Sequence, residues 1–559
     1  MTTRIALTLA GGVSLGAYQA GGVYELLWAL AHRPPGQDPI LIDVITGASA
    51  GSLTGAVLAR ALTQDSTAAD ELYRAWVTEI SFDSLTAEQP PTSLLSDRRV
   101  REIAKRIFHL EDEGLNGNDP QAATAPAGPH PAGAPRVMMA FALSNLNGVN
   151  YRLGYPGGSD GFDTTVFSDW IVFALDRGAP AKTSSWQEIA RAAIASGAVP
   201  VALPTVKMER RVDDYRGSDI AGSGGTRSFT YVDGGLFNNE PVGLARDIVD
   251  RLEASSNTNT ELDQRVYILI DPFVAPNLAE PEYAEEPLGY RRLLGRLLSV
   301  IMGEASKRDW IRATRTNRRL QWQDQLLQSL AEAVAALPPP ALAKCAASAR
   351  NLANDIAGFK AAYEAAGRPV PADAMHKQFA PTVRRLGPMV AGGDQVYAHA
   401  ARDRLSCETF LDLAYAIENV AGLRKKVDLT LHVVAPKPGT LAGDFLGNFG
   451  GFFEQDWREH DWRRGRADAR DLIVEKLGMT YAQDDPEKYV PAADLSRVCE
   501  RDIPSKARIG VERSLRGGIA HFLSPTPLDP VARLAVGAVS WILATLAVYL
   551  LMKRRSSCA

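Results

Sequence analysis

The stretch Leu41-Ile42-Asp43-Val44-Ile45-Thr46-Gly47-Ala48-Ser49-Ala50-Gly51-Ser52-Leu53 decides how the first half of this chain is read. Its first six residues form a short apolar strand, and Ser52 to Leu62 continue as a helix. Between them Gly47, Ser49 and Gly51 fit G-x-S-x-G in the strand-turn-helix setting that a nucleophile elbow needs. The reason is steric: small neighbours let the chain turn sharply while the serine Oγ points outward. The pentapeptide alone recurs by chance in a chain rich in glycine and alanine, so the flanking elements give it its weight.

Working outward, Ile5–Leu9 reads as a buried strand and Ala17–His32 as a helix. Val137–Leu143 is a strand. Ser185-Trp186-Gln187-Glu188 has capping-box spacing and opens a helix to about Ala195. Val266–Ile270 is a further strand. Strands alternating with helices predict an α/β fold with a mostly parallel sheet covered on both faces. Leu115–Pro135 and Arg216–Ser228 read as loops. Residues 281–421 turn helical, with arginine clusters at 291–296 and 312–319 and a break at Pro338-Pro339-Pro340. Val427–Val434 is one more strand and Asp461–Leu477 another helix. The expected organisation is a catalytic domain over 1–280, a mainly helical insertion or extension over 281–426, a part over 427–530 packing on the catalytic domain, and a membrane anchor over 531–552.

Two further segments complete a chemistry around Ser49. Ala10-Gly11-Gly12-Val13-Ser14-Leu15-Gly16 ends the first strand, and N–H groups of Gly11, Gly12 and Val13 are candidate donors to an oxyanion. The segment matches neither G-x-x-x-x-G-K-[ST] nor G-x-G-x-x-G, which argues against a nucleotide loop. Tyr231-Val232-Asp233-Gly234-Gly235 places an acid at a strand end. That acid could merely form an Asx-turn, or it could take the proton of Ser49. The second role needs burial, because a free aspartate is a poor base near neutral pH. No histidine stands beside any of these segments, which favours a Ser49–Asp233 dyad, with His32 left as the other partner to consider.

Composition excludes several classes. A net charge of −4 argues against a nucleic-acid binder. The four cysteines, Cys345, Cys407, Cys499 and Cys558, contain no C-x-x-C pair and suggest a reducing compartment. The eight histidines are scattered without local metal-ligand spacing. Leu534–Met552 is an uncharged, mainly apolar run followed by Lys553-Arg554-Arg555, long enough at about 1.5 Å per residue to span a bilayer. The N-terminus lacks the pattern of a signal peptide, so a single-pass C-terminal anchor with the catalytic part in the cytoplasm is expected.

Together Gly11-Gly12, Gly47-Ala48-Ser49-Ala50-Gly51 and Asp233-Gly234-Gly235 resemble the motifs of the patatin-like phospholipases. The likeness extends to Ala195-Ser196-Gly197-Ala198-Val199-Pro200 and Asn238-Asn239-x-Pro241, and more weakly to Phe452–Ala469. It implies a three-layer α/β/α domain, a Ser–Asp dyad of Ser49 and Asp233, and neither metal nor organic cofactor. The implied substrate is a membrane phospholipid or other acyl-ester lipid, cleaved in the manner of a phospholipase A or lysophospholipase. Val13 stands where the family usually has a third glycine and Leu15 where it often has a basic residue, which bears on substrate choice. The alternatives are a thioesterase or peptidase on the same site, or a membrane-anchored scaffold with an inactive hydrolase domain.

Overall fold

The computed structural model describes residues 2–87, 93–110, 127–154, 161–179, 183–255, 264–272, 318–323, 325–327, 329–364, 404–421, 430–444, 448–485 and 488–489. β1 (Thr3–Leu9) and β2 (Ile40–Gly47) each carry an unbroken run of buried residues rather than an alternation. Such runs belong to strands covered on both faces. The two pair in parallel, and β3 (Gly133–Gly154) extends the sheet in parallel beyond β2. Three more strands flank that side: β4 (Gly161–Asp176), β5 (Val206–Arg211) and β6 (Thr226–Val232). Beyond β1 lie β7 (Gln264–Ile270) and β8 (Leu431–Val434), again in parallel. The order is β5-β6-β3-β2-β1-β7-β8, with β4 paired to β3. The sheet is thus mixed but mostly parallel through its centre.

Helices α1 (Gly16–Ala31) and α2 (Ala50–Thr63) follow β1 and β2 directly. α3 (Ala68–Tyr73) runs into a π-helical segment, Arg74–Glu79. α4 (Phe82–Thr86), α5 (Arg98–Phe108), α6 (Thr183–Ser196) and α7 (Val242–Ser255) follow. The main core cluster lies around β1, β2, α1, α2 and α6, with Tyr18, Phe141, Trp186, Phe229 and Tyr231 among its largest buried side chains.

Several expected boundaries change. β3 begins at Gly133, so the end of the loop expected over 115–135 is strand, and β6 begins at Thr226 inside the loop expected over 216–228. β3 also runs far past Leu143 and forms a long hairpin with β4, which the apolar pattern did not mark. Beyond Ser144 that hairpin is held mainly by strand pairing, and most of β4 is exposed or half-exposed, so it carries little burial signal. α6 starts at Thr183, two residues before the expected cap.

The C-terminal stretch closes the other edge. β8 pairs with β7, and α10 (Gln455–Glu475) packs along α1. Their backbones approach closely: a Cβ on Gly21 would run into the Trp462 carbonyl, and one on Gly465 into the Tyr18 carbonyl. Of the described residues, those within 1–249, 263–308 and 431–559 form one unit, and those within 250–262 and 309–430 a second. In the second, α8 (Pro339–Glu364) and α9 (Arg404–Val420) are joined by Arg350, whose guanidinium bonds Asp412 at 2.6 Å and Glu408 at 3.2 Å. Among the described residues no helix is long and apolar enough to cross a membrane. The run expected to do so, 534–552, lies outside the described residues.

Candidate active site

Strand register brings the serine and the acid together. Gly47, at the end of β2, pairs with Phe141 of β3. Three residues on, Ser144 pairs with Val232 of the antiparallel β6, whose next residue is Asp233. Asp233 is pinned at both backbone atoms, donating to the Ala198 carbonyl at 2.8 Å and accepting from Ser144 Oγ at 2.7 Å. Ser49 is the N-cap of α2, with φ 52° and ψ −125°. That is the strained elbow conformation, which non-glycine residues hold only when the surroundings dictate it. They do so here. Ser49 N–H donates to Ser196 Oγ at 3.0 Å, and Ser196 Oγ donates to the Ala142 carbonyl at 2.7 Å. Gly51 must be glycine because a Cβ would strike the Leu9 carbonyl, and a Cβ on Gly47 would stand 2.7 Å from the Gly51 carbonyl.

Ser49 Oγ donates to Asp233 Oδ2 at 2.5 Å. The other carboxylate oxygen accepts Gly235 N–H at 2.7 Å, so the Asx-turn and the contact with serine coexist on one side chain. Gly234 is glycine because a Cβ would meet the Ala142 carbonyl. Burial pushes the Asp233 carboxyl up to about 6, against the downward pull of the Ser49 hydroxyl and the Gly235 amide. An acid so placed can hold a proton near neutral pH. His32 is not at this site. It lies at the far end of α1, stacked on Trp28 at 4.0 Å, with Nδ1 against the Trp28 carbonyl.

The three expected oxyanion donors separate. Gly11 N–H donates to the Asn239 carbonyl at 3.0 Å, so that amide is already used in the fold. Among the described residues the N–H groups of Gly12 and Val13 have no such partner. Gly11 still lies beside Ser49, since a Cβ on it would be 3.1 Å from Ser49 Cβ. Val13 has φ 53°, in the left-handed region, an outlier for a β-branched residue. Sequence reasoning missed what holds it: Ser14, next in the chain, is bonded to Asn448 and Gly451. Among the described residues no group of three or more His, Cys, Asp or Glu side chains is placed to hold a metal ion.

A small apolar cavity of about 40 Å³ has Leu53, Val57, Trp76, Ile103, Phe108 and Ile194 among its walls. Leu53 is one turn past Ser49 on α2, its N–H directed at the Ser49 carbonyl at 3.4 Å. Ile194 lies two residues before Ser196, and the Trp76 ring lies against Gly16.

The family model for patatin-like phospholipases matches residues 7–246, the span that holds Gly11 to Val13, Ser49 and Asp233. Residues 7–246 are thus similar to the patatin-like phospholipases. A second family model, described only as a protein of unknown function (DUF3376), matches residues 430–497. The uncharacterized protein y4iI of Sinorhizobium fredii (strain NBRC 101917 / NGR234) is 23% identical over 392 residues, covering 54% of this chain and 53% of that protein. The chain thus spans about half the length of that relative. The patatin-like segment does not hold all of the sheet, because β7 and β8 both lie beyond residue 246.

Proposed function

We propose that this protein is a serine acyl hydrolase of membrane lipids, acting through Ser49 and Asp233. The observation that carries the reading is the 2.5 Å contact from Ser49 Oγ to a buried carboxylate that, among the described residues, has no cation beside it. In the proposed reaction Ser49 Oγ attacks the acyl carbonyl and its proton passes to Asp233 Oδ2. The tetrahedral oxyanion is met by the N–H groups of Gly12 and Val13. Collapse expels the alcohol, which takes the proton from Asp233. Water, deprotonated by Asp233, then attacks the acyl-serine, and fatty acid leaves with Ser49 restored. The apolar surroundings of Leu53, one turn past Ser49 on α2, support an apolar group of the substrate near the proposed nucleophile. The apolar run 534–552 supports substrate drawn from a bilayer, with a C-terminal anchor as part of the proposal.

The test is fatty-acid release from phosphatidylcholine vesicles by the purified full chain, with thioester and peptide substrates alongside. Ser49→Ala and Asp233→Asn are each expected to lower ester hydrolysis by ~10⁴-fold or more. Ester cleavage by either variant at the wild-type rate would remove the dyad. Preference for thioester or peptide would move the substrate class.

A further inference from the structure

The loop that carries the two unpartnered amides is held from the far end of the chain. Ser14 N–H donates to the Asn448 carbonyl at 3.0 Å, and Ser14 Oγ donates to the same oxygen at 2.5 Å. Gly451 N–H in turn donates to Ser14 Oγ at 3.1 Å. Ser14 is fully buried, and all three bonds cross more than 430 residues of sequence. The approach needs a glycine on the far side, because a Cβ on Gly451 would stand 2.9 Å from Ser14 Oγ. The far side is itself fixed by Arg458 of α10, a buried guanidinium that bonds the Gly451 carbonyl at 2.9 Å, the Phe452 carbonyl at 3.2 Å and the Val77 carbonyl of the π-helical segment at 2.9 Å.

The residue next to this clamp is Val13, at φ 53°. A left-handed backbone is disfavoured for an L-residue, and a β-branched side chain there is an outlier that surrounding structure must enforce. Glycine at that position would adopt the conformation freely. Here no glycine stands there, and the bonds that set the next residue come from 448–451.

We infer that the 448–451 loop is a clasp that holds Val13 in its left-handed conformation and so aims the Val13 amide at the reacting oxygen. Ser14 and Gly451 are then positioning residues for acyl transfer, and residues 430–489 complete the active site rather than decorate it. This inference rests on the reading of Ser49 as the nucleophile and of the Gly12 and Val13 amides as oxyanion donors.

The test uses the full chain. Ser14→Ala removes both bonds of the hydroxyl and keeps the amide bond to Asn448. Loss of one well-placed oxyanion donor lowers kcat by about 10²–10³-fold, so partial misdirection of the Val13 amide is expected to lower kcat by ~10–100-fold. KM should stay within about twofold, because ground-state binding is untouched. Adding Val13→Gly to Ser14→Ala should recover most of the lost kcat, since glycine reaches the left-handed conformation without the clasp. A purely structural role for Ser14 would not be rescued in that way. Gly451→Ala, which pushes against Ser14 Oγ, should show the same loss and the same rescue, and it carries the test if Ser14→Ala does not fold by circular dichroism. A Ser14→Ala enzyme with wild-type kcat, or a loss that Val13→Gly does not repair, overturns the clasp. Hydrolysis that survives Ser49→Ala overturns the underlying reading instead, whatever the Ser14 variants do.

Discussion

Glu25 on α1 and Asp233 at the end of β6 are both buried acids, 0% and 6% exposed, in the same unit of the molecule. Glu25 meets the Arg466 guanidinium of α10 through Nε at 2.9 Å and Nη2 at 2.7 Å. Its other oxygen accepts the hydroxyls of Tyr481 at 2.7 Å and Tyr489 at 2.9 Å. Arg466 is further bonded to Asp484 at 3.2 Å and lies over the rings of Tyr24 and Tyr489. Among the described residues Asp233 has one hydroxyl, one amide and no cation. Desolvation is the largest influence on it, and the carboxyl rises to about 6. The difference teaches how one chemical group is put to two uses. A buried carboxylate given a counter-charge and donors becomes a clamp, here between the first helix and the C-terminal stretch. One denied a counter-charge holds its proton more tightly, which is what the proposed reaction asks of a base.

Removing the charge at each site breaks the contrast in opposite ways. The largest effect is on activity: Asp233→Asn should abolish ester hydrolysis as set out above, with the protein still folded. Next, Glu25→Gln leaves Arg466 buried with only Asp484 as a charged partner, and should destabilise the unit by about 3–5 kcal/mol in urea unfolding, the cost of breaking a buried pair. A change near zero would show that Asp484 and the tyrosines suffice. Third, Asp233→Asn should stabilise, by order 2–3 kcal/mol near pH 7. The sign follows from the folded carboxyl lying above its ordinary value of 3.8. Its ionised form therefore costs stability above about pH 6, and that cost fades as pH falls from 6 toward 3.8. The gain should accordingly disappear near pH 4, and a gain that persists there would point elsewhere. The smallest effect is a pH profile. The wild-type kcat/KM should rise through about pH 6 as Asp233 loses its proton, and then level off. A profile flat across that range would exclude Asp233 as the base.

The same contrast marks what was legible in the sequence. β1 and β2 were readable because their apolar runs are buried on both faces. β4 was not, because it is mostly open to solvent and is held by pairing. Gly11 looked like Gly12 in the sequence, and only the position of the Asn239 carbonyl distinguishes a used amide from an unused one. Glu25 and Arg466 gave no local signal at all, lying 441 residues apart.

By itself the sequence determined the elements that local chemistry dictates. These are the glycines at 47 and 51 that let the chain turn at Ser49, the alternation of strand and helix, and the acid at Asp233 followed by two glycines. Their spacing carries information because sterics and backbone geometry act over a few residues. The tertiary structure alone decided which groups meet. It set Ser49 against Asp233 across 184 residues and Ser14 against Asn448 across 434, and it placed Asp233 where no cation of the described residues reaches it. Those outcomes depend on strand register, helix packing and the exclusion of water, and each is a property of the assembled sheet and its covering helices rather than of any segment read alone.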